Sequence, residues 1–368
     1  MTLTIQTLFN EPAIVSAVIN RVLQTRKDRI YWQQYFTFRR KTQRVWKSYM
    51  GTYGGVMAGS INSQFGEKPI RERKNIGYAY TEVAYLGDRW QISVDRLSDL
   101  QDLIDKYNAA RPADQNAALR EIIDFVYDDF RQCMLAAHKR MDIIMGSLLM
   151  TGSASVRNRD YAVSHYAATE LLNIEAPFNV VTPESADVYV DSKLKLVTYL
   201  ANLLPQLAVD YGKYTKMLMS RATFNKYIVG SSEFGDTFKM QLNQNSLYMS
   251  TGLVTSELAS EMFTGIGLPA IEIKEDYVKD QTGANVAIYA DNRITLLQQD
   301  QIGGMCYHRP YEATDPVPGQ QYTPTNDGDM LVSAVRDHNG RYLEYTAEWI
   351  PEIDNPQMIT NINLSNIE

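Results

Sequence analysis

The stretch ADQNAALREIIDFVYDDFRQCMLAAHKRMDIIMGSLLMT, residues 113–151, decides how this chain is read. Apolar side chains recur at Leu119, Ile122, Val126, Phe130, Cys133, Ala137, Met141, Ile144 and Leu148, in steps of three and four. Steps of that size keep side chains on one face of a 3.6-residue helix. The stripe predicts one continuous helix of about 48 Å at 1.5 Å per residue, where a globular helix usually has roughly 11–12 residues. No proline interrupts it, the single Gly146 falls near its end, and Gly152 suits a C-cap. Tyr127, Asp128, Asp129 and Arg131 lie opposite the stripe, which fits a helix laid across a sheet better than a coiled coil.

Working outward toward the N-terminus, residues 95–111 read as a helix with Leu97, Leu100, Leu103 and Ile104 on one face, ended by Pro112. From Ser48 to Val94 the texture changes. Gly51, Gly54, Gly55, Gly59 and Gly66 crowd together, the charged run GEKPIRERKN (66–75) follows, and IGYAYTEVAYLGDRWQISV (76–94) is strand-like. A long extension without a core of its own is uncommon inside a compact domain unless it has a function. It predicts a two-stranded ribbon that leaves the body and lies on a neighbour. Residues 31–47, YWQQYFTFRRKTQRVWK, are aromatic, β-prone and basic, and are expected to form an arm rather than to pack on their own domain. Residues 12–30 predict a helix opening at Pro12.

Toward the C-terminus, residues 153–190 are mixed and short-stranded. Residues 191–212 predict a second helix with Asp191 or Ser192 as N-cap and a kink at Pro205. Residues 213–230 read as a strand, KMLMS, followed by a helix opening at Arg221, and residues 268–302 alternate strands and turns. DMLVSAVRDHNGRYLEYTAEWI (329–350) predicts a β-hairpin with Asn339-Gly340 at its tip. Leu343, Tyr345, Ala347 and Trp349 then face one way, and Tyr342, Glu344, Thr346 and Glu348 the other.

A length of 368 residues suits two packed domains. Two cysteines, Cys133 and Cys306, suggest folding in a reducing cytosol without a disulfide. The N-terminus, MTLTIQTLFNEPAIV, lacks the order of a secretion signal, and no window approaches a membrane span, so neither export nor a membrane is expected. The net charge of −7 is uneven. Residues 1–76 carry 13 Lys+Arg against 4 Asp+Glu, a balance of +9 that leaves −16 for the remainder. A basic segment on an acidic body suggests nucleic acid, or the surface of another copy, as its partner.

Motifs for catalysis are wanting. The glycines at 51, 54, 55 and 59 do not form a dinucleotide-binding loop, and neither GxxxxGK[ST], GxSxG nor HExxH occurs. His138, His165, His308 and His338 are scattered, and Cys306-Tyr307-His308 lacks a second ligand pair for zinc. Thr325-Asn326-Asp327-Gly328-Asp329 starts like a calcium loop, but no acidic terminus follows at the required spacing, so it reads as a turn. No nucleophile, base, cofactor or metal site is nominated.

The order of parts carries a resemblance. Basic arm, glycine-rich extension ending in a strand, long helix, mixed middle and terminal strands together resemble the Hong Kong 97-type capsid fold of tailed phages, in its lambda-like branch. Local matches are MDIIMGSLLMTGSASVR (141–157), where the helix ends at Leu149-Met150-Thr151-Gly152, AIYADNRITLLQQDQIGGMCY (287–307), and EWIPEIDNPQMITNINL (348–364) with Pro351, Asn355 and Pro356. The resemblance implies an α+β fold with residues 1–47 as N-terminal arm and 48–95 as extended loop. It makes 96–190 and 330–368 a peripheral domain, with the spine helix at about 113–151, and 191–329 an axial domain. The implied function is that of a non-enzymatic major coat protein, assembled in the bacterial cytoplasm as hexamers and pentamers of a shell around double-stranded DNA. A separate scaffolding protein, a portal protein and a decoration protein are the implied partners. Arg39, Arg40, Lys41, Arg44, Lys68, Arg71, Arg73 and Lys74 are the expected subunit-interface residues. Lys68 and Lys74 are expected to be solvated loop lysines rather than crosslinked to Asn355. Alternatives are an encapsulin-like compartment shell and, more remotely, a nucleic-acid-binding protein or enzyme using the basic arm.

Overall fold

The computed structural model describes residues 3–10, 14–18, 20–21, 30–50, 77–157, 170–233, 255–279, 283–318, 320, 322–325, 329–337 and 340–367. The long helix forms where the stripe predicts, over the 37 residues Gln115–Thr151. It ends at Gly152, whose φ of +75° suits a residue without Cβ and whose N–H donates to Leu148 O at 2.9 Å. The preceding helix, Val94–Ala109, is capped by Ser93, whose hydroxyl accepts from the Arg96 N–H.

Burial along the long helix changes midway. In its first half Ala118, Ile122, Val126 and Phe130 are buried while Arg120, Glu121, Asp124 and Asp128 are exposed, as a one-sided stripe requires. From Cys133 onward Met134, His138, Asp142 and Met145 are buried as completely as Ala137, Met141 and Leu148. The expectation of a helix apolar on one face only is therefore corrected for the second half. A helix buried on most sides is one enclosed by the fold.

The chain divides into two compact units, Met1–Lys47 with Tyr80–Asp142 and Gly303–Glu352, and Ser48–Ala79 with Ile143–Ile302 and Ile353–Glu368. This partition differs from the 96–190 with 330–368 against 191–329 expected from the sequence.

The first unit holds a six-stranded sheet in the order Phe36–Arg40, Gly303–His308, Gly340–Ile353, Leu331–Asp337, Tyr322–Pro324, with Ala84–Ile92 also paired to the central strand Gly340–Ile353. The predicted hairpin forms. Asp337 pairs with Gly340, and Asn339 lies outside the described residues. Leu343, Tyr345, Ala347 and Trp349 are buried as expected, but the opposite face is also closed from Thr346 to Glu348.

Two expectations fail in this unit. Residues 31–40 do not stay off the body: Trp32, Tyr35 and Phe36 are buried, and Phe36–Arg40 runs parallel to Gly303–His308. Their aromatic side chains supply core, with Trp32 and Trp349 flanking His138 at ring separations of 5.9 and 4.9 Å. Asp142, on the next turn of the long helix, accepts from the Trp32 N–H at 2.9 Å and pairs with Lys139 at 3.0 Å. Nor does the extended loop run to residue 95, because Ala84–Ile92 is a full strand of the sheet, in register from Ala84↔Trp349 to Ile92↔Arg341.

In the second unit a five-stranded sheet runs Ala270–Lys274, Lys216–Ser220, Arg293–Leu297, Thr360–Asn363, Asn179–Val181. Leu196, Leu200 and Leu204 of the helix Leu196–Tyr211 share one core with Met217, Met219, Phe224, Phe263, Ile294 and Ile362. That helix does not start at Asp191 or Ser192. Both take positive φ, 52° and 61°, in the turn between Tyr189–Val190 and Lys193–Leu194, and the cap position falls to Lys195. The strand Lys216–Ser220 and the helix opening at Arg221 form as predicted, with Ser220 as cap, and the chain continues as a π-helix over Phe224–Val229. The end of the long helix is tied in by Thr295 Oγ1, 2.8 Å from Leu149 O and 2.7 Å from Asn361 Oδ1. No helix among the described residues is long and apolar enough to cross a membrane.

Candidate assembly interface

The strands Val45–Met50 and Gly77–Glu82 pair with each other as a separate two-stranded sheet. They are the root of the predicted ribbon; residues 51–76 between them lie outside the described residues, and with them Lys68, Arg71, Arg73 and Lys74.

The chain reaches this root from the sheet edge. Phe36–Arg40 ends with Arg39 opposite Cys306 and Arg40 opposite Tyr307, and the Lys41 N–H donates to Tyr307 O at 2.8 Å. Arg39 and Arg40 are exposed. The stem of Arg39 crosses Gly304 so closely that a Cβ there would collide with its Cδ and Nε. A bare backbone at 304 makes that crossing possible.

Beyond the edge, two glutamates of the central strand hold the turn. Glu352 Oε2 receives Lys41 Nζ at 2.9 Å and the Cys306 thiol at 2.8 Å, while its Oε1 accepts from Trp46 Nε1 at 3.3 Å. Lys41 Nζ also stands 4.8 Å from the centre of the Trp46 ring. Glu348, whose side chain is only 3% exposed, lies 2.6 Å from His308 Nδ1 and 3.6 Å from Arg44 Nε. Charges buried this far persist when paired and hydrogen-bonded. The half-exposed Arg44 contributes little by itself, since water screens it.

Lys41 and Arg44, expected at a subunit interface, each have a carboxylate of their own chain nearby. The reason is geometric, because the turn 41–44 lies against the central strand, which carries Glu348 and Glu352 four residues apart on one face. Sequence reading missed both glutamates. Strict alternation put Glu348 on the face opposite Leu343 and Trp349, and the available signal was a pair of carboxylates flanking the apolar run Trp349-Ile350-Pro351.

The chemistry of this cluster is structural. Burial, and then the hydrogen bond to Glu352, push the Cys306 thiol well above its ordinary pKa, so it is neither thiolate nor nucleophile. No group of three or more His, Cys, Asp or Glu among the described residues could hold a metal ion.

No protein-family model and no curated protein matches this sequence. Solved structures do. A prophage protein of E. coli CFT073 assigned as a capsid protein superposes over 91% of this chain and 93% of its own, with a TM-score of 0.52 at 12% identity. A phage-related protein of Bordetella bronchiseptica RB50 covers 96% of this chain and 97% of its own, with a TM-score of 0.50 at 9% identity. At such identities the likeness is one of fold, and the fold this chain has is the α+β fold of phage capsid subunits.

Proposed function

We propose that this chain is the major coat subunit of a tailed-phage head, a non-enzymatic protein that associates with its own copies as hexamers and pentamers of a shell around double-stranded DNA. The observation that carries this reading is the likeness of fold, over 91% of the chain, to the prophage protein assigned as a capsid protein. An arm without residues 31–40, a loop without Ala84–Ile92, and the peripheral and axial roles belong to the proposal, as do assembly in the host cytoplasm and the scaffolding, portal and decoration partners.

The root geometry supports a division of labour among the basic residues. Lys41 and Arg44 fasten the ribbon root to Glu352 and Glu348. Arg39 and Arg40 at the sheet edge, with Lys68, Arg71, Arg73 and Lys74, are proposed to meet acidic surfaces of neighbouring copies, which the balance of +9 against −16 favours. An acidic body also suits a lining that must not grip phosphates. Obligate interfaces bury roughly 2,000–5,000 Å², so several neighbours give gross stabilisation of tens of kcal/mol at about 25 cal/mol per Å². Much of that is offset by lost freedom.

Electron microscopy and sizing of the purified protein test the reading. Charge reversal at Arg71, Arg73 and Lys74 is expected to block shell formation without changing the melting temperature, and normal particles from that variant would refute the proposed register. Shells filled with a cargo enzyme instead of DNA would favour the encapsulin-like alternative. A small monomer or dimer with salt-sensitive DNA affinity would favour the nucleic-acid-binding one.

A further inference from the structure

The helix Leu196–Tyr211 differs from the other long helices in what it shows to solvent. Exposed positions of Val94–Ala109 include Asp99, Asp102 and Asp105, those of Gln115–Thr151 include Arg120, Glu121 and Asp124, and those of Ser256–Gly265 include Glu257 and Glu261. Between Leu196 and Val209 there is no charged residue at all. One side of this helix is core, through Leu196, Leu200 and Leu204. The other exposes Ala201, Asn202, Pro205, Gln206 and Val209, and Val209 is 83% exposed. Ala201, Pro205 and Val209 are spaced by four, so they form one apolar ridge. Among the described residues, carboxylates stand at the two ends of the helix: Glu233 accepts from the N–H and hydroxyl of Thr198 at the first turn, and the exposed Asp210 follows Val209 in the last.

From this we infer that the face Ala201–Val209 is a contact surface for a second copy of this chain, an inference that rests on the coat reading. Electrostatics select the occupant. Every copy carries a net charge of −7, and the part beyond residue 76 carries −16, so most approaches of one body to another set like charges together. A charge-free ridge of small side chains is where identical acidic bodies can close without that repulsion, and where a partner backbone can come near. Size adds a constraint. Sixteen residues make a helix about 24 Å long and roughly 10 Å wide, so the face offers about 240 Å² per copy against about 800 Å² per partner in a stable pair. The ridge alone cannot hold two free copies together. It acts only in a closed ring, where each subunit makes the contact twice and other contacts add to it.

The test places a charge on the ridge. Val209→Asp and Ala201→Glu, both at exposed positions, are compared with wild type and with Gln101→Glu on an already charged helix face. Each is expressed with and without the cognate scaffolding protein, then followed by thermal melting, sedimentation and electron microscopy. The ridge variants are expected to melt with wild type, to remain monomeric and to give at least tenfold fewer particles, while Gln101→Glu assembles normally. Wild-type particle yields from both ridge variants would overturn this inference and leave the coat reading standing. A wild-type chain that forms no particles under either condition would overturn the coat reading, and the inference with it.

Discussion

Replacing Gly146 by alanine sets two effects of opposite sign against each other. In a helix interior, alanine is ordinarily more stable than glycine by about 1 kcal/mol. Position 146 lies inside the long helix and its φ is not positive, so local propensity alone favours the change. Against it stands the Ile288 segment. A Cβ at 146 would fall closer than 3.0 Å to the carbonyl oxygen, the carbonyl carbon and the Cγ2 of Ile288, where ordinary contact begins at 3.4 Å. Two of those three atoms are backbone and cannot rotate away. Helix and segment would have to separate, loosening the packing of the buried Met145, Leu149 and Ile288. Overpacking of this kind costs about 1–3 kcal/mol, and backbone against backbone belongs in the upper half of that range. The net expectation is a loss of about 1–2 kcal/mol, or roughly 1–3 °C in melting temperature for a chain of 368 residues. Urea titration and calorimetry of Gly146→Ala, beside Gly265→Ala, give the answer. A Cβ at 265, at the end of the helix Ser256–Gly265, meets nothing within 4 Å, so that control should equal or exceed wild type. A Gly146→Ala midpoint at or above wild type would refute the close-approach argument.

His138 predicts a pH dependence. Burial, and secondarily Lys139, lower its pKa to about 3, whereas in the unfolded chain it titrates near 6.5. The unfolded chain therefore takes up the proton first, and stability present above pH 6.5 is lost as the pH falls toward 3, by about 1.4 kcal/mol per unit. Asp142 works the other way: burial raises its carboxyl to about 6, so the native state protonates first and gains stability as the pH falls from 6 to 4. His138→Phe keeps a ring between Trp32 and Trp349 and removes only the first effect. Its stability relative to wild type should rise by roughly 2–3 kcal/mol between pH 6.5 and 4.5, and parallel curves from urea melts at the two pH values would count against a neutral buried imidazole. Thr295→Val, nearly isosteric, removes the hydroxyl shared by Leu149 O and Asn361 Oδ1 and should cost about 2 kcal/mol through two stranded acceptors; an unchanged urea midpoint would contradict it.

What could be read in the sequence was whatever has a period. Apolar steps of three and four located the long helix, alternation located the hairpin strands, and Gly152 marked an end. Local rules stopped at pairings made over distance. Residues 31–40 have the composition of an arm, and only a vacant edge beside Gly303–His308 turns their aromatic side chains into core. Asp191 and Ser192 are good caps by composition, but two short strands needed a left-handed turn there. The ribbon root carries Lys41 and Arg44, which the sequence marked as facing another copy. Its acidic side was not legible, because Glu348 and Glu352 become partners of the turn only once the central strand has been laid beside it.

The pairing of Phe36–Arg40 with Gly303–His308 also fixes a timetable for biosynthesis. Phe36 emerges from the ribosome long before its partner Gly303 exists; at roughly 5–20 residues per second the wait is some 15–50 seconds. Throughout that interval Trp32, Tyr35 and Phe36 have no sheet to enter, and neighbouring nascent chains on one message would expose the same aromatic run side by side. A truncated product ending before residue 303 never closes the edge. Chaperone capture of this early segment, and quality control against incomplete chains, thus follow from where one short strand finds its place.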